Sequence, residues 1–116
     1  MPNLRRIGAT AEDKAADYLL GLGYTIVTRR FKSSRGEIDI VALDGEVLVF
    51  VEVKMRSNLK YAPEEQVTAG KVRYFCAAVD DYLQKAEMQH ATCRFDIVAV
   101  TSNELRHHKD AFRAVR

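Results

Sequence analysis

The apolar run Val47-Leu48-Val49-Phe50-Val51 constrains this chain most. It is rich in β-branched and aromatic residues, and charged Glu52 and Lys54 follow it directly, so it reads as a central β-strand. Asp44-Gly45 just before it is a strong hairpin signal. A sheet must therefore form around residues 37–55, with the other elements covering its faces.

The rest of the pattern supplies those elements. Thr10 reads as an N-cap, with Glu12 and Asp13 in the first turn, where acids favour the helix dipole. Ala11, Ala15, Tyr18, Leu19 and Leu22 then follow a helical period to about residue 22, and Gly23 ends the helix. Strands are expected over Tyr24–Phe31, Glu37–Leu43, Glu46–Met55 and Arg94–Thr101, with a short fifth at Ala111–Val115. Thr68 can cap a second helix whose stripe is Val72, Phe75, Cys76, Val79, Tyr82 and Leu83. The order is α-β-β-β-α-β, with a possible last β. It predicts one α/β domain over residues 1–116, a mixed sheet flanked by helices around a two-layer core. At 47% hydrophobic the chain should fold.

Several function classes fall away. No apolar run approaches the roughly 20 residues of a bilayer span. The first residues, Met1-Pro2-Asn3-Leu4-Arg5-Arg6, lack a secretory core, so a cytoplasmic location is expected. Cys76 and Cys93 read as two reduced thiols in such a compartment. His90, His107 and His108 lack zinc-like spacing with Cys93 and are expected at the surface. The net charge is only +2, but residues 1–36 hold seven Lys and Arg against three acids. Arg106, Lys109, Arg113 and Arg116 add a second basic stretch. Such stretches suit phosphate contact, although most are simply solvated surface.

The chemistry concentrates on the hairpin. With Asp44-Gly45 as its two-residue loop, Val41 pairs with Leu48, Asp39 with Phe50, and Glu37 with Glu52. Period-two alternation then puts Glu37, Asp39, Val41, Leu48, Phe50, Glu52 and Lys54 on one face. Asp39 and Glu52 become diagonal neighbours, with Cα atoms about 7–8 Å apart. Two carboxylates so placed can share a hard cation such as Mg²⁺ or Mn²⁺, completed by waters and phosphate oxygens. The competing reading is an ion pair at the strand end, with Lys54 satisfying Glu52.

Asp39, twelve intervening residues and Glu52-Val53-Lys54 together resemble the PD-(D/E)xK nuclease signature, with Ile38 in place of its proline. Spacing and the helix-first order resemble the archaeal Holliday junction resolvases. The segments Gly36-Glu37-Ile38-Asp39, Phe50-Val51-Glu52-Val53-Lys54-Met55-Arg56-Ser57 and Arg94-Phe95-Asp96-Ile97-Val98 resemble the YraN family of small bacterial proteins, over almost the whole chain. The resemblance implies a restriction-endonuclease-like fold and a metal-dependent nuclease acting on DNA, branched or single-stranded substrates included. Asp39 and Glu52 would hold the metal, with the Val53 carbonyl completing the shell. Lys54 would activate water and stabilise charge on the phosphate. Glu12 resembles the first-helix glutamate of the resolvases, although a first-turn acid serving the dipole reads equally well.

Arg29, Arg30, Lys32 and Arg35 flank the turn leading to Asp39 and are candidates for nucleic-acid contact, as are Arg56 and Ser57. Glu37 could ligate through water or pair with Arg35 or Arg56. Gln66 and Asp96 read as structural. Tyr18, Tyr74 and Tyr82 read as packing residues, which leaves Tyr61 as a base-stacking candidate. A homodimer is plausible by the same resemblance. Two other functions remain open: a nucleic-acid-binding module without turnover, and a structural protein with an acidic ion-pair cluster.

Overall fold

Thr10 caps the first helix as its sequence predicts. Its hydroxyl accepts from the Asp13 N–H at 3.0 Å, and the Asp13 carboxylate accepts from the Thr10 N–H at 3.1 Å. This reciprocal box satisfies two backbone donors that a helix start leaves open. The computed structural model describes residues 10–57 and 69–111. Its elements are α1 (Ala11–Gly21), β1 (Thr25–Ser33), β2 (Gly36–Asp44), β3 (Val47–Met55), α2 (Ala69–Lys85), β4 (Cys93–Val100) and β5 (Leu105–His108). Thr68, Tyr61 and Gln66 lie outside the described residues, as do 112–116. The strand expected at Ala111–Val115 lies, but for Ala111, outside the described residues, while a fifth strand forms at Leu105–His108. It returns antiparallel on β4 through the turn at Ser102-Asn103, where the Thr101 hydroxyl accepts from the Glu104 N–H at 2.9 Å.

The strands form one mixed sheet in the order β1-β2-β3-β4-β5, with only β3 and β4 parallel. That parallel pair needs a crossover, and the segment carrying α2 provides it. One helix covers each face, so the protein has three layers instead of the expected two. This is the helix-flanked mixed sheet expected of a restriction-endonuclease-like fold. Beneath α2 lie Ile38, Val41, Leu48, Phe50 and Phe95, packed on Val72, Phe75, Cys76, Val79, Tyr82 and Leu83. Beneath α1 lie Ile40, Ala42, Val49, Val51, Val98 and Val100, packed on Ala15, Ala16 and Leu19. The whole apolar stripe foreseen for α2 is buried, whereas Leu22, at the end of α1, is exposed. Both faces of β3 are covered, which explains its continuous apolar run.

Gly36 sets the spacing between α2 and β2. A methyl group on it would collide with the Tyr74 carbonyl oxygen and press on Ala78. Only glycine lets the helix backbone come this close to the strand.

The hairpin turn differs from expectation. Asp44 pairs with Val47, so its central residues are Gly45-Glu46. Gly45 has φ +60° and Glu46 does not share the positive φ, an arrangement that calls for glycine at the first central position. Each pair therefore moves along the ladder: Leu43 meets Leu48, Val41 meets Phe50, and Ile40 meets Val51. The shift keeps the alternation of faces but brings Asp39 one rung closer to Glu52.

Candidate metal centre

β2 and β3 stop pairing after Ile40 and Val51. The next rung would set Asp39 against Glu52. Instead the Asp39 side chain enters the gap, where its Oδ2 accepts the Val53 N–H at 2.8 Å. The Leu48 and Arg56 N–H groups bond toward β4. By alternation, Val53 directs both its N–H and its carbonyl toward β2, where the Asp39 carboxylate lies. Among the described residues Asp39 Oδ1 has no hydrogen-bond partner.

The expected single face is not what forms. Glu37, Glu52 and Lys54 line a cavity of about 230 Å³ with Lys71, Val72, Tyr74 and Phe75, on the α2 side. Asp39 lines a larger, open cavity of about 720 Å³ on the α1 side, together with Thr10, Glu12, Lys14, Val53 and Arg56. The cause is a slip in alternation. Ile38 and Val41 both join the α2 core although they are three residues apart. Across the ladder, Arg30 lies opposite Asp39 and has a left-handed φ of +54°. That conformation costs a non-glycine residue about 1–3 kcal/mol. It turns Arg29 and Arg30 out together, where strict alternation would separate them.

Both arginines then reach Glu12. Arg29 Nε lies 2.9 Å from Glu12 Oε1, and Arg30 Nε lies 3.2 Å from Oε2. Arg29 also meets Asp13 at 2.6 Å and holds that carboxyl down at about 2. The Glu12 side chain is only 13% exposed and shares Asp39's cavity, so it does turn toward the sheet. Arg35 pairs with Asp81 of α2 at 2.6 Å, not with Glu37. Three of the five basic residues proposed for nucleic-acid contact thus hold acids of their own chain. Lys32 is exposed, and Arg56 and Ser57 line the larger cavity.

Burial pushes the Asp39 carboxyl up to about 6 despite the Val53 hydrogen bond; Glu52, Glu12 and Glu37 add to the rise in that order. Asp39 thus senses Glu52 across the gap. Glu52 itself is 3.2 Å from the Lys54 ammonium, whose side chain is 13% exposed. Among the described residues no three His, Cys, Asp or Glu side chains converge on one point. Two carboxylates and a main-chain carbonyl are nonetheless a hard-oxygen donor set, and Mg²⁺ ordinarily takes only one or two carboxylates. The open Oδ1 and the raised pKa of Asp39 are what a cation at that carboxylate would relieve, whereas Glu52 opens into the other cavity, so Asp39 and the Val53 carbonyl fit the ion and Glu52 does not reach it as placed.

One cluster escaped the sequence reading. His107 is not at the surface: its side chain is 4% exposed, with Nε2 2.8 Å from Asp96 and Nδ1 3.2 Å from the Tyr18 hydroxyl. His108 is partly buried, and His90 is exposed. Arg94 donates to Asp96 at 2.9 and 3.0 Å, to Asp44 at 3.0 Å and to the Tyr24 hydroxyl at 2.8 Å. Burial alone would raise the Asp96 carboxyl. Hydrogen bonds from His107, Arg94 and the Asp110 N–H hold it below its ordinary value instead. Asp96 is structural, as expected, but fully buried. The only signal available was an arginine and an acid two residues apart in a strand otherwise apolar.

The comparisons with known proteins agree with the resemblance to the YraN family. The uncharacterised protein family UPF0102 matches residues 11–100. A UPF0102 protein of Dehalococcoides mccartyi is 42% identical, over 84% of this chain and 82% of its own length. One from Persephonella marina is 41% identical, over 90% and 91%. One from Symbiobacterium thermophilum is 44% identical, over 83% and 82%. On both the matched length and these identities, the chain belongs to the uncharacterised protein family UPF0102, the YraN family.

Proposed function

We propose that this protein is a Mg²⁺- or Mn²⁺-dependent nuclease that hydrolyses phosphodiester bonds in DNA, with branched or single-stranded DNA among its substrates. The observation that carries the reading is the half-buried Asp39 carboxyl in the β2–β3 gap, raised to about 6 beside Val53 and within electrostatic reach of Glu52. Native folds keep few carboxylates at such a cost, and perturbed acids cluster at functional sites. The position agrees with the general rule for α/β sheets: the gap lies beside the carboxyl end of β3, which runs parallel to β4.

In this reading Asp39 and the Val53 carbonyl would hold the cation, and Glu52 would join them by turning across the strand end from the α2-side cavity. When bound, the ion supplies Lewis acidity at a phosphate oxygen and lowers the pKa of water. Asp39 contributes its open Oδ1, while the Val53 N–H fixes the rotation of the carboxylate. Lys54, released from Glu52, places its ammonium on the phosphate and stabilises the charge that develops there. Glu12 shares Asp39's cavity and acts beside it once Arg29 and Arg30 turn to the phosphate backbone. Lys32, Arg35, Arg56 and Ser57 complete the basic surface that fixes the strand.

A second reading has its own observation. Glu12 is already paired with Arg29 and Arg30, and Glu52 with Lys54, as in a purely structural ion-pair cluster. Incubation with linear, single-stranded and four-way-junction DNA in Mg²⁺ or Mn²⁺ separates the two. The nuclease reading predicts cleavage that Lys54→Ala abolishes. Cleavage surviving in that variant would point to a contaminant or another site, and no cleavage under any condition would leave the structural reading.

A further inference from the structure

Tyr74 was expected to pack within α2, yet it is 58% exposed. It lines the smaller cavity together with Lys71, also exposed, from the first turn of the same helix. The opposite wall is Glu52 and Lys54, so an aromatic ring and a second cation share the concavity with half of the proposed centre. Phe75 and Val72 form its apolar floor, and Arg73, the neighbour of Tyr74, is exposed as well. Removing an aromatic side chain from water normally stabilises a helix face. An exposed ring at the rim of a cavity is therefore free to stack on a flat ligand.

We infer that the cavity between α2 and the Glu52–Lys54 end of β3 receives one unpaired nucleotide, whose base stacks on Tyr74 and whose phosphate meets Lys71. This deepens the nuclease reading and rests on it for the position of the phosphate. The cavity, of about 230 Å³, suits a single base more than a duplex edge. Bases have accessible π-faces only where they are unstacked. The site therefore selects single-stranded or locally opened nucleic acid beside the cleavage point. The two acids of the wall, Glu37 and Glu52, disfavour a phosphate lying deep in the cavity and leave Lys71 at its rim as the phosphate contact.

The test uses the full chain with Ca²⁺ in place of Mg²⁺. The probes are a fluorescein-labelled single-stranded oligothymidine and a duplex of equal length, followed by fluorescence anisotropy. Wild type should bind the single strand more tightly. Tyr74→Ala should weaken that binding about tenfold and leave duplex binding unchanged, while Tyr74→Phe should bind like wild type. Lys71→Gln should weaken both probes and lower the salt dependence by about one phosphate contact. Circular dichroism should show both variants folded, because neither side chain is in the core. Equal single-strand binding by Tyr74→Ala and wild type, or equal binding of the two probes, overturns the inference. Cleavage that depends on Lys54, combined with binding that ignores Tyr74, overturns the inference and leaves the nuclease standing. Tyr74-dependent binding without cleavage in Mg²⁺ or Mn²⁺ does the reverse.

Discussion

The Asp39 carboxylate accepts the Val53 N–H at 2.8 Å, at the point where β2 and β3 cease to pair. A side chain thus replaces a backbone rung, and it does so beside the residue that separates Glu52 from Lys54. The bond fixes Asp39 in a place where ionisation is costly.

That cost can be measured. The folded protein keeps a proton on Asp39 up to about pH 6, whereas an ordinary aspartate releases it near 3.8. The burden is absent below the lower value, grows as the pH rises between the two, and is complete above the higher one. Asp39→Asn keeps an acceptor for Val53 and removes the charge. With one pKa unit worth about 1.4 kcal/mol, and allowing for solvent screening, the variant should gain on the order of 1–2 kcal/mol at pH 8. Urea unfolding at pH 4 and pH 8 checks this. A loss of stability at pH 8 would favour the structural ion-pair reading.

Lys54→Ala should lower cleavage of single-stranded DNA by about a hundredfold or more, the usual effect of removing one group that stabilises transition-state charge. Thermal unfolding should change by no more than about 1 kcal/mol, because Glu52 is partly solvated and loses only one ion pair. Single-turnover gel assays with each variant test the first part, and melting curves the second.

Asp96→Asn should be far more damaging to the fold. It withdraws the carboxylate from Arg94 and His107 at a fully buried position. Breaking a buried pair from one side costs about 3–5 kcal/mol, and the lower end applies because Asp44 still meets Arg94. The depressed pKa of Asp96 also gives wild type stability that is present above about pH 4 and lost as the pH falls through the folded value. Acid titration followed by circular dichroism should show this transition in wild type and a weaker one in the variant.

Gly36→Ala should destabilise the protein by about 1–3 kcal/mol, because the added methyl meets the Tyr74 backbone and not a flexible side chain. The urea midpoint should fall with little change in slope. An unchanged midpoint would mean that α2 can move off β2 freely, which would also loosen the cavity beside Tyr74.

The sequence disclosed most of the architecture because periodicity reports burial. The α2 stripe from Val72 to Leu83, the Thr10 cap and the central place of Leu48–Val51 all follow from side-chain spacing. The site was legible by residue more than by geometry. A two-residue loop can centre on Asp44-Gly45 or on Gly45-Glu46, and both keep the same faces; only the turn conformation decides the register. The left-handed backbone at Arg30 leaves no mark in residue type, and with it goes the slip that turns Asp39 toward α1. His107 was misplaced because its partners, Asp96 and Tyr18, come from distant segments and satisfy it only once folded. Tyr74 was misplaced because it sits between Val72 and Phe75 in sequence but off their stripe.

Calorimetric titration with Mn²⁺ at pH 7.5, comparing wild type with Asp39→Asn, bears most directly on the proposed centre. Wild type should bind the ion at one site, and Asp39→Asn should lose that binding while remaining folded. Equal Mn²⁺ binding by the two proteins, or none by wild type, would contradict the account.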